Sequence, residues 1–511
     1  MGKVLTLVLV VLTGSALAET RTVTLLFTND IESVYDPTPA FWRDDINMIG
    51  GVPQLATLID AYRDRYPDSF LFDAGDIYTG TLSKVTRGEL PFELMISMDY
   101  DAMVIGNHEF EYGWQALAVQ KQRAPFPVLG ANLFYKGTDH PYAQAFAIIE
   151  RNNIRIGVIG ILGLDAATAL IPSNIAGVEV KDPVKTIAKL VDDLREDVDL
   201  IVVLAHQGPT APMQTDDAAD PEIHRGNEAN LKLAGAVPGI DVIFAGHTDA
   251  GTREPLVEPE NGTLIMQTFG QGQHLGVLQI ELDEQGQRIG HRGELIPVNS
   301  DKLSPHPAVA NKLARYRAAH PELYEVIGHT QKYLGRRYNY ESDLGNLFAD
   351  VLTDATGAPI GLMPSGALRR DIAAGPIRRV DALDAFPFED DIAVVEMTGA
   401  LLKEVIEQGL SLERGILQVA GLSVTYDPDA KKGERIIDIY VGRERLQPRG
   451  RYQVATVEIL AKGGDQYTMM RQVQDTKFLK QPFSEALVAF IAQERALTRP
   501  PTGRLLPKTS Q

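Results

Sequence analysis

The sequence predicts an α/β protein with at least two domains. From about residue 22 to residue 298, short β-branched runs such as VTLLF and LIVVLAHQG alternate with longer segments of helical period, such as residues 52–66. Near-continuous apolar strands that are joined through helices are typical of a sheet covered on both faces. In addition, 511 residues are too many for one ordinary hydrophobic core. We therefore expect a layered first domain and a second, smaller one.

The first 18 residues, MGKVLTLVLVVLTGSALA, predict a signal peptide. Lys3 supplies an early positive charge, residues 4–12 are apolar, and small residues at Ala16 and Ala18 mark a cleavage site. An apolar run of this length is too short to cross a hydrocarbon layer of about 30 Å. The alternative is a buried first strand or helix. We predict cleavage near Ala18 and a periplasmic or secreted protein without a membrane anchor.

A polar stretch with Ser-Pro and His-Pro breakers divides the rest of the chain. It predicts a first domain over residues 20–300, a linker helix within 301–325, and a second domain over 326–505. The second domain opens with the helical pattern SDLGNLFADVLTDATG and then mixes strands and turns. This pattern indicates a smaller α/β or α+β unit.

Composition excludes several classes of function. The chain has no cysteine, so it has no disulfide framework, no thiolate nucleophile and no cysteine-ligated zinc. Any metal must be held by histidine and oxygen ligands. The formal charge of −19 argues against binding a nucleic acid polymer, which demands a basic face. An anionic small molecule would need a local positive patch.

Five polar clusters follow directly after apolar strands, and glycines flank most of them. They are Asn29, Asp30 and Glu32; Asp73 and Asp76; Asn107, His108, Glu109 and Glu111; His206; and His247 with Asp249. Each cluster alone could be a helix cap or a satisfied polar residue. Gathered at one edge of an α/β sheet, they offer enough ligands for two divalent cations that share a bridging carboxylate.

The motifs TND, DAGD, GNHEF, HQG and GHT, in this order, resemble the calcineurin-like metallophosphoesterase half of the secreted 5'-nucleotidase and UDP-sugar hydrolase family. The resemblance implies a four-layer calcineurin-like sandwich followed by a C-terminal 5'-nucleotidase domain that binds substrate. It implies a hydrolase that cleaves phosphoesters of 5'-nucleotides, or related nucleotide and sugar phosphoesters, through attack by a metal-bound hydroxide.

The resemblance also implies roles for individual residues. The matching metal ligands are Asp30, Asp76 as the bridge, Asn107, His206 and His247. His108 and Glu111 match the catalytic pair of the family, in which a carboxylate holds a charged imidazole beside the anionic transition state.

Two departures from the family pattern fall on one metal. Glu32 stands where the family has histidine, and Asp249 stands where it has histidine or glutamine. The first metal would then see only oxygen, from Asp30, Glu32, Asp76 and Asp249. Hard oxygen ligands favour Mn or Mg at this site, whereas the site with two histidines suits Zn, Mn, Fe or Co. The alternative is a degenerate site in a non-catalytic nucleotide-binding protein.

Three segments of the second half, ESDLGNLFADVL, PSGALRRD and ILAKGGDQY, resemble the substrate-binding motifs of the family. On that match Arg369 and one of Arg336 or Arg337 would contact phosphate. Phe388 would form one wall of a base-stacking slot, and Asp465 would accept ribose hydroxyls. The pattern is broken at Pro364, at Asp390 and at Ile459, where a second stacking Phe is expected. A nucleotide is the expected substrate, while a nucleotide sugar, a sugar phosphate, a cyclic phosphodiester or the sulfur-bearing carrier of a same-fold dimanganese hydrolase remain alternatives.

Overall fold

A computed structural model describes residues 20–209, 226–411 and 415–508. The predicted signal peptide lies outside these described residues. The strands of the first domain are β1 (Arg21–Thr28), β2 (Thr38–Pro39), β3 (Met48–Ile49), β4 (Phe70–Asp73), β5 (Ala102–Val104), β6 (Val128–Leu129), β7 (Leu133–Tyr135), β8 (Phe146–Arg151), β9 (Ile154–Leu162), β10 (Val178–Val180), β11 (Leu200–His206), β12 (Val242–Gly246), β13 (Leu256–Val257), β14 (Leu264–Met266), β15 (His274–Leu282) and β16 (Arg288–Pro297).

Helices surround these strands. Those of the first domain are α1 (Val52–Arg65), α2 (Thr81–Val85), α3 (Glu89–Ser97), α4 (Trp114–Arg123), α5 (Leu164–Ala167), α6 (Pro183–Leu194) and α7 (Glu228–Ala236). A 3-10 turn spans His108–Phe110. Helix α8 (Pro307–Ala319) follows, and it packs against α1 and α3 of the first domain. Among the described residues, every helix is too short or too polar to pass through a bilayer.

The core of the first domain lies between two six-stranded sheets. Their strand orders are β16-β15-β1-β4-β5-β6 and β13-β14-β12-β11-β9-β8, and the central strands of both are parallel. Phe27 and Phe244 stack across the interface with ring centroids 4.2 Å apart. Apolar residues of α1 cover the outside of one sheet, and those of α6 and α7 cover the other. This arrangement confirms the predicted α/β class with four layers.

The second domain is a smaller mixed unit. Its strands are β17 (Val326–Thr330), β18 (Ile360–Pro364), β19 (Gly375–Arg378), β20 (Asp391–Thr398), β21 (Leu417–Ala420), β22 (Leu422–Tyr426), β23 (Ile436–Val441), β24 (Glu444–Arg445), β25 (Arg451–Val457), β26 (Thr476–Pro482), β27 (Ala496–Leu497) and β28 (Leu505–Pro507). Its helices are α9 (Asp343–Thr356), α10 (Arg379–Ala385), α11 (Gly399–Leu410), α12 (Glu458–Ala461) and α13 (Phe483–Glu494).

Helix α9 starts and stops where the sequence signals it. Ser342 caps its first turn by accepting a hydrogen bond from the backbone amide of Gly345, and Gly357 ends it in the left-handed conformation with φ of 71°. The helix buries its apolar side against β18 and β21. The domain boundaries at residues 300 and 325 remain predictions.

Polar contacts join the two domains beside the ends of the central strands. The backbone amide of Thr81 donates to Oδ1 of Asp384 at 2.7 Å, and Lys84 pairs with Glu389 at 2.7 Å. Such contacts align the second domain with the edge of the first domain at which the motif residues lie.

Candidate metal centre and active site

The predicted motif residues converge at one edge of the first domain. Strands β1, β4, β5, β11 and β12 all end at this edge, and the residues at or just after their ends are Asp30, Asp76, Asn107, His206 and His247. Because parallel strands share the direction of their carboxyl ends, residues far apart in sequence meet there. The fold therefore brings these side chains together, as the sequence predicted.

The backbone at this edge adopts a conformation that is rare for residues with a side chain. The φ angles are positive at Asp30 (50°), Asp76 (59°), His247 (80°) and Asp249 (50°). Such angles cost free energy and concentrate at functional sites, where the surroundings hold them. Here the backbone amide of Asp30 donates to Gly75 O at 2.8 Å, which supports the first of these turns.

Asp76, His206 and His247 form a buried group with metal-binding geometry. One ligand atom from each lies within 4.8 Å of the others. His206 Nε2 is 2.9 Å from Oδ2 of Asp76 and 3.1 Å from Oδ1 of Asn107. The other ring nitrogen, Nδ1, is 2.8 Å from Ala74 O, which can only accept a hydrogen bond. The proton is therefore assigned to Nδ1, and Nε2 presents its lone pair to the group when a cation is bound.

A second set of carboxylates lies beside this group. Asp249 is buried, and its Oδ1 has no hydrogen-bond partner among the described residues. Burial, reinforced by the charges of Asp30 and Asp76, raises the pKa of Asp249 well above its ordinary value. Burial likewise raises the pKa of Asp30 to about 6. Buried carboxylates that repel one another are the donor set expected for a hard divalent cation, so the residues fit a second metal.

Glycine is needed where the loops that carry Asp76 and Asn107 touch. A Cβ atom on Gly106 would lie 2.2 Å from Oδ1 of Asp76. Any larger residue at position 106 would therefore displace the predicted bridging carboxylate.

Glu32 lies between the two domains. Its Oε1 atom is 3.6 Å from Nε2 of His108 and also pairs with Nη2 of Arg369 from the second domain. Its role as a metal ligand remains a prediction, because the described contacts of Oε1 are with these two cationic side chains.

His108 and Glu111 form the predicted pair. Nδ1 of His108 hydrogen-bonds Oε1 of Glu111, and Thr79 Oγ1 donates to the same oxygen at 3.1 Å. Burial alone would lower the pKa of His108, but the carboxylates of Asp76 and Glu111 outweigh it and raise the pKa to about 10. The imidazole is therefore held in one orientation and is charged at neutral pH.

The substrate residues predicted from the second half lie in different surroundings. Arg369 is largely buried at the domain interface, and burial lowers its pKa to about 10. Arg336 reaches the first domain, where its Nη2 donates to Oε1 of Gln271 at 3.1 Å, whereas Arg337 makes no such contact among the described residues. Of the two alternatives for phosphate contact, Arg336 is thus the one beside the predicted metal residues, where the charge of Asp249 acts on it.

Phe388 and Asp465 belong to the second domain. Phe388 is half-buried, and its ring packs edge-on against Phe386 with centroids 5.5 Å apart. Asp465 has a positive φ of 47°. Its negative charge raises the pKa of Arg369, although the larger effect of burial lowers it. Ile459, at the position of the expected second stacking residue, is 36% exposed.

Glu109 has a structural role that sequence reasoning did not assign. It is fully buried, and its carboxylate accepts backbone N–H bonds from Gly106 (2.7 Å), Asp76 (2.9 Å), Ile77 (2.9 Å) and Tyr78 (3.2 Å). It thereby fixes the loop that carries Asp76 against the loop that carries His108. A carboxylate directly after the histidine of GNHEF was the available signal.

Replacing Glu109 by Gln is expected to lower the free energy of unfolding by about 2–4 kcal/mol, because the amide NH₂ of Gln would face backbone donors and leave them unpaired. Chemical denaturation measures the change. Glu179→Gln, at an exposed position, is the matched control. Equal stability of both variants and the wild type would show that the four backbone bonds contribute little.

We expect the contribution of Asp390 to the free energy of unfolding to depend on pH. Its Oδ1 accepts the backbone amide of Ile459 at 2.7 Å, yet burial raises its pKa from 3.8 to about 6. Between these values the folded chain keeps a proton that the unfolded chain has released, so stability from this group falls as pH rises and stays low above about pH 6. Asp390→Asn should therefore raise the free energy of unfolding by about 2 kcal/mol at roughly pH 7.5 and leave it unchanged near pH 4. Denaturation at both pH values tests this, and a variant that is less stable at the higher pH would contradict it.

Comparison with known proteins agrees with this geometry. Residues 23–250 match the family model for calcineurin-like phosphoesterases, and residues 326–472 match that for the 5'-nucleotidase C-terminal domain. The first domain therefore has the fold of a calcineurin-like phosphoesterase. The chain joins a calcineurin-like phosphoesterase domain to a 5'-nucleotidase C-terminal domain, the same two domains that the 5'-nucleotidases it resembles combine.

Individual relatives match over most of this chain. The 5'-nucleotidase of Homo sapiens is 27% identical, and the match covers 88% of this chain and 84% of the human protein. The trifunctional nucleotide phosphoesterase protein YfkN of Bacillus subtilis (strain 168) is 26% identical over 86% of this chain, but the match spans only 33% of the length of YfkN. The crystal structure of a 5'-nucleotidase precursor from Thermus thermophilus is 25% identical, with a TM-score of 0.81 and coverage of 96% of this chain and 100% of the other.

Proposed function

We propose that the chain is an exported dimetal phosphohydrolase that acts on 5'-nucleotides or on related nucleotide or sugar phosphoesters. The observation that carries the proposal is the meeting of two sets of groups at one sheet edge. Buried carboxylates and histidines of the first domain lie beside the His108–Glu111 pair, and Arg369 of the second domain faces them.

The residues would hold two cations in different surroundings. Asp76, Asn107, His206 and His247 suit Zn, Mn, Fe or Co, because histidine nitrogens and oxygens are both present. Mn or Mg is favoured at the all-oxygen site, whose donors would be Asp30, Glu32 through its second carboxylate oxygen, Asp76 and Asp249. When bound, two such ions supply Lewis acidity and lower the pKa of a water molecule that attacks phosphorus.

The side chains of the chain would then bind and protonate the substrate. The charged imidazole of His108, held by Glu111, can donate its Nε2 proton toward a phosphoryl or leaving-group oxygen. Arg369 offers a guanidinium fork that matches phosphate oxygens, and Arg336 adds positive charge nearby. Phe388 and Asp465 would hold the base and the ribose of a nucleotide.

Export belongs to the proposal as well. It rests on the predicted signal peptide of residues 1–18, and it gives a periplasmic or secreted enzyme that meets small phosphorylated molecules outside the cytoplasm.

The direct test is phosphate release by the purified chain that begins at Glu19. Metal is stripped, and Mn, Mg, Zn or Ca is restored with AMP, UDP-glucose or bis-p-nitrophenyl phosphate as substrate. We expect Mn or Mg to restore turnover. The substrate that is hydrolysed fastest then identifies the class of phosphoester on which the enzyme acts. Tight nucleotide binding without turnover under any metal would favour a binding protein, and turnover of a thiosulfonate alone would favour a sulfur-releasing hydrolase.

A further inference from the structure

One carboxylate oxygen of Glu32 lies where cationic groups of both domains meet. Oε1 is 3.6 Å from Nε2 of His108 and accepts a hydrogen bond from Nη2 of Arg369. The side chains of Glu32, His108 and Arg369 are 5%, 14% and 17% exposed, so the contact is largely screened from water. The first domain supplies Glu32 and His108, and the second supplies Arg369.

The proposed function assigns this position to a phosphoryl oxygen of the substrate. Under the proposed function, His108 and Arg369 both contact the phosphoryl group. Carboxylate and phosphate oxygens use the same charge-assisted hydrogen bonds to guanidinium and imidazolium. A substrate must therefore displace Oε1 or bind directly beside it, and in either case it meets the negative charge of Glu32.

The backbone keeps Glu32 in place. Its φ is 48° and that of Ser33 is 53°, two successive residues in the left-handed region. The amide of Glu32 donates to Asp76 O at 3.0 Å, and the amide of Ser33 donates to Ile77 O at 3.2 Å. This segment is thus tied to the loop that carries Asp76, so the Glu32 carboxylate stays within reach of the phosphoryl position.

We propose that Glu32 is a specificity-determining residue that selects phosphodiesters, whose phosphoryl group carries a single negative charge, over phosphate monoesters. The inference rests on the proposed function and names its substrate class. A monoester phosphate carries about −1.5 to −2 charges at pH 7. Like charges that are close together in a buried site repel strongly, and the repulsion rises with the charge of the phosphoryl group.

Charged side chains of both domains surround the Glu32 carboxylate, and the gap between them has a volume of only about 10 Å³. A cleft between the domains is lined by Glu32, Val34, Thr79, Gly80, Arg369, Arg370 and Asp384. Arg370 and Asp384 pair with each other at 3.2 Å, so the positive charge of Arg370 is compensated. The positive charge of Arg369 is likewise compensated by Glu32, so neither arginine offers a free positive charge to the extra negative charge of a monoester.

Isothermal titration calorimetry on the metal-loaded chain tests the proposal with inorganic phosphate and dimethyl phosphate as probes. Glu32→Gln should lower the Kd of inorganic phosphate at least about tenfold, while the Kd of dimethyl phosphate changes less than about threefold. The ratio of kcat/KM for bis-p-nitrophenyl phosphate to that for p-nitrophenyl phosphate should fall by a similar factor. Glu32→Asp keeps the charge and should keep the wild-type preference.

Glu389→Gln is the matched control. Glu389 also bridges the two domains, through Lys84 at 2.7 Å, but it is 67% exposed and lies outside the site. This variant should leave both Kd values unchanged. Metal content is measured for every variant, so that loss of a cation is distinguished from loss of repulsion.

Two results would overturn the inference. One is an unchanged preference between the two probes in Glu32→Gln, and the other is weaker binding of both probes together with loss of bound metal, which would make Glu32 a metal ligand alone. A wild-type chain that hydrolyses no phosphoester would instead refute the proposed function, whereas the ratio of the two Kd values is measured without turnover.

Discussion

Asp76→Asn is expected to lower kcat/KM for a phosphoester by more than about 100-fold, because even residues that only support a metal ligand cost roughly 10–100-fold when they are replaced. The two oxygens of Asp76 serve different partners. Oδ2 is 2.9 Å from Nε2 of His206, and Oδ1 accepts the backbone amide of His108 at 2.7 Å. Burial raises the pKa of Asp76, but the charges of His206 and His108 outweigh burial and hold it below its ordinary value, so the carboxylate stays ionised.

Metal content shows whether the loss arises from the cations. Asn retains one oxygen for the amide of His108 but places its NH₂ group where Oδ2 faces Nε2 of His206, so the variant should bind less metal. Elemental analysis and steady-state kinetics measure both quantities. Asp139→Asn is the control, since that side chain is 98% exposed. Full metal content and full activity in Asp76→Asn would contradict the bridging role.

His108→Ala is expected to lower kcat by about 10²–10⁴-fold, the usual contribution of a positioned acid or base. Unlike Asp76→Asn, it should leave metal content unchanged, because His108 lies beside the predicted ligands and pairs with Glu111. The loss should be larger for an ester with a poor alkoxide leaving group than for p-nitrophenyl phosphate, since a good leaving group needs less protonation.

His140→Ala is the control for this variant, because His140 is exposed and lies outside the five motifs. Equal losses for both leaving groups would restrict His108 to stabilising the charge of the phosphoryl group. Unchanged kcat for the poor leaving group would contradict a catalytic role altogether.

The fold of the first domain and the meeting of its motif residues at one edge could be predicted from local patterns. Apolar strands that lead directly to Asp76, His206 or His247 can be recognised in the sequence, because each strand, its turn and its polar residue are neighbours along the chain. The rule that parallel strands end at a common edge then brings these residues together.

Contacts between the domains could not be read from the sequence. The pairing of Glu32 with Arg369 joins residues 337 positions apart and depends on how the second domain sits on the first. Likewise, among the described residues Arg336 contacts the first domain and Arg337 does not, because the irregular segment that carries them turns their side chains to different sides. An irregular segment has no periodic pattern from which these directions could be predicted. Glu109 belongs to a recognisable motif, but its four backbone hydrogen bonds depend on the geometry of turns, which could not be predicted from the sequence.

The claim that the sheet edge holds two catalytic cations is tested most directly by titrating the metal-stripped chain with Mn²⁺ while following both bound metal and phosphate release. We expect two equivalents to bind per chain and activity to appear as both sites fill. Full activity in the stripped chain, or saturation of activity at a single equivalent, would contradict it.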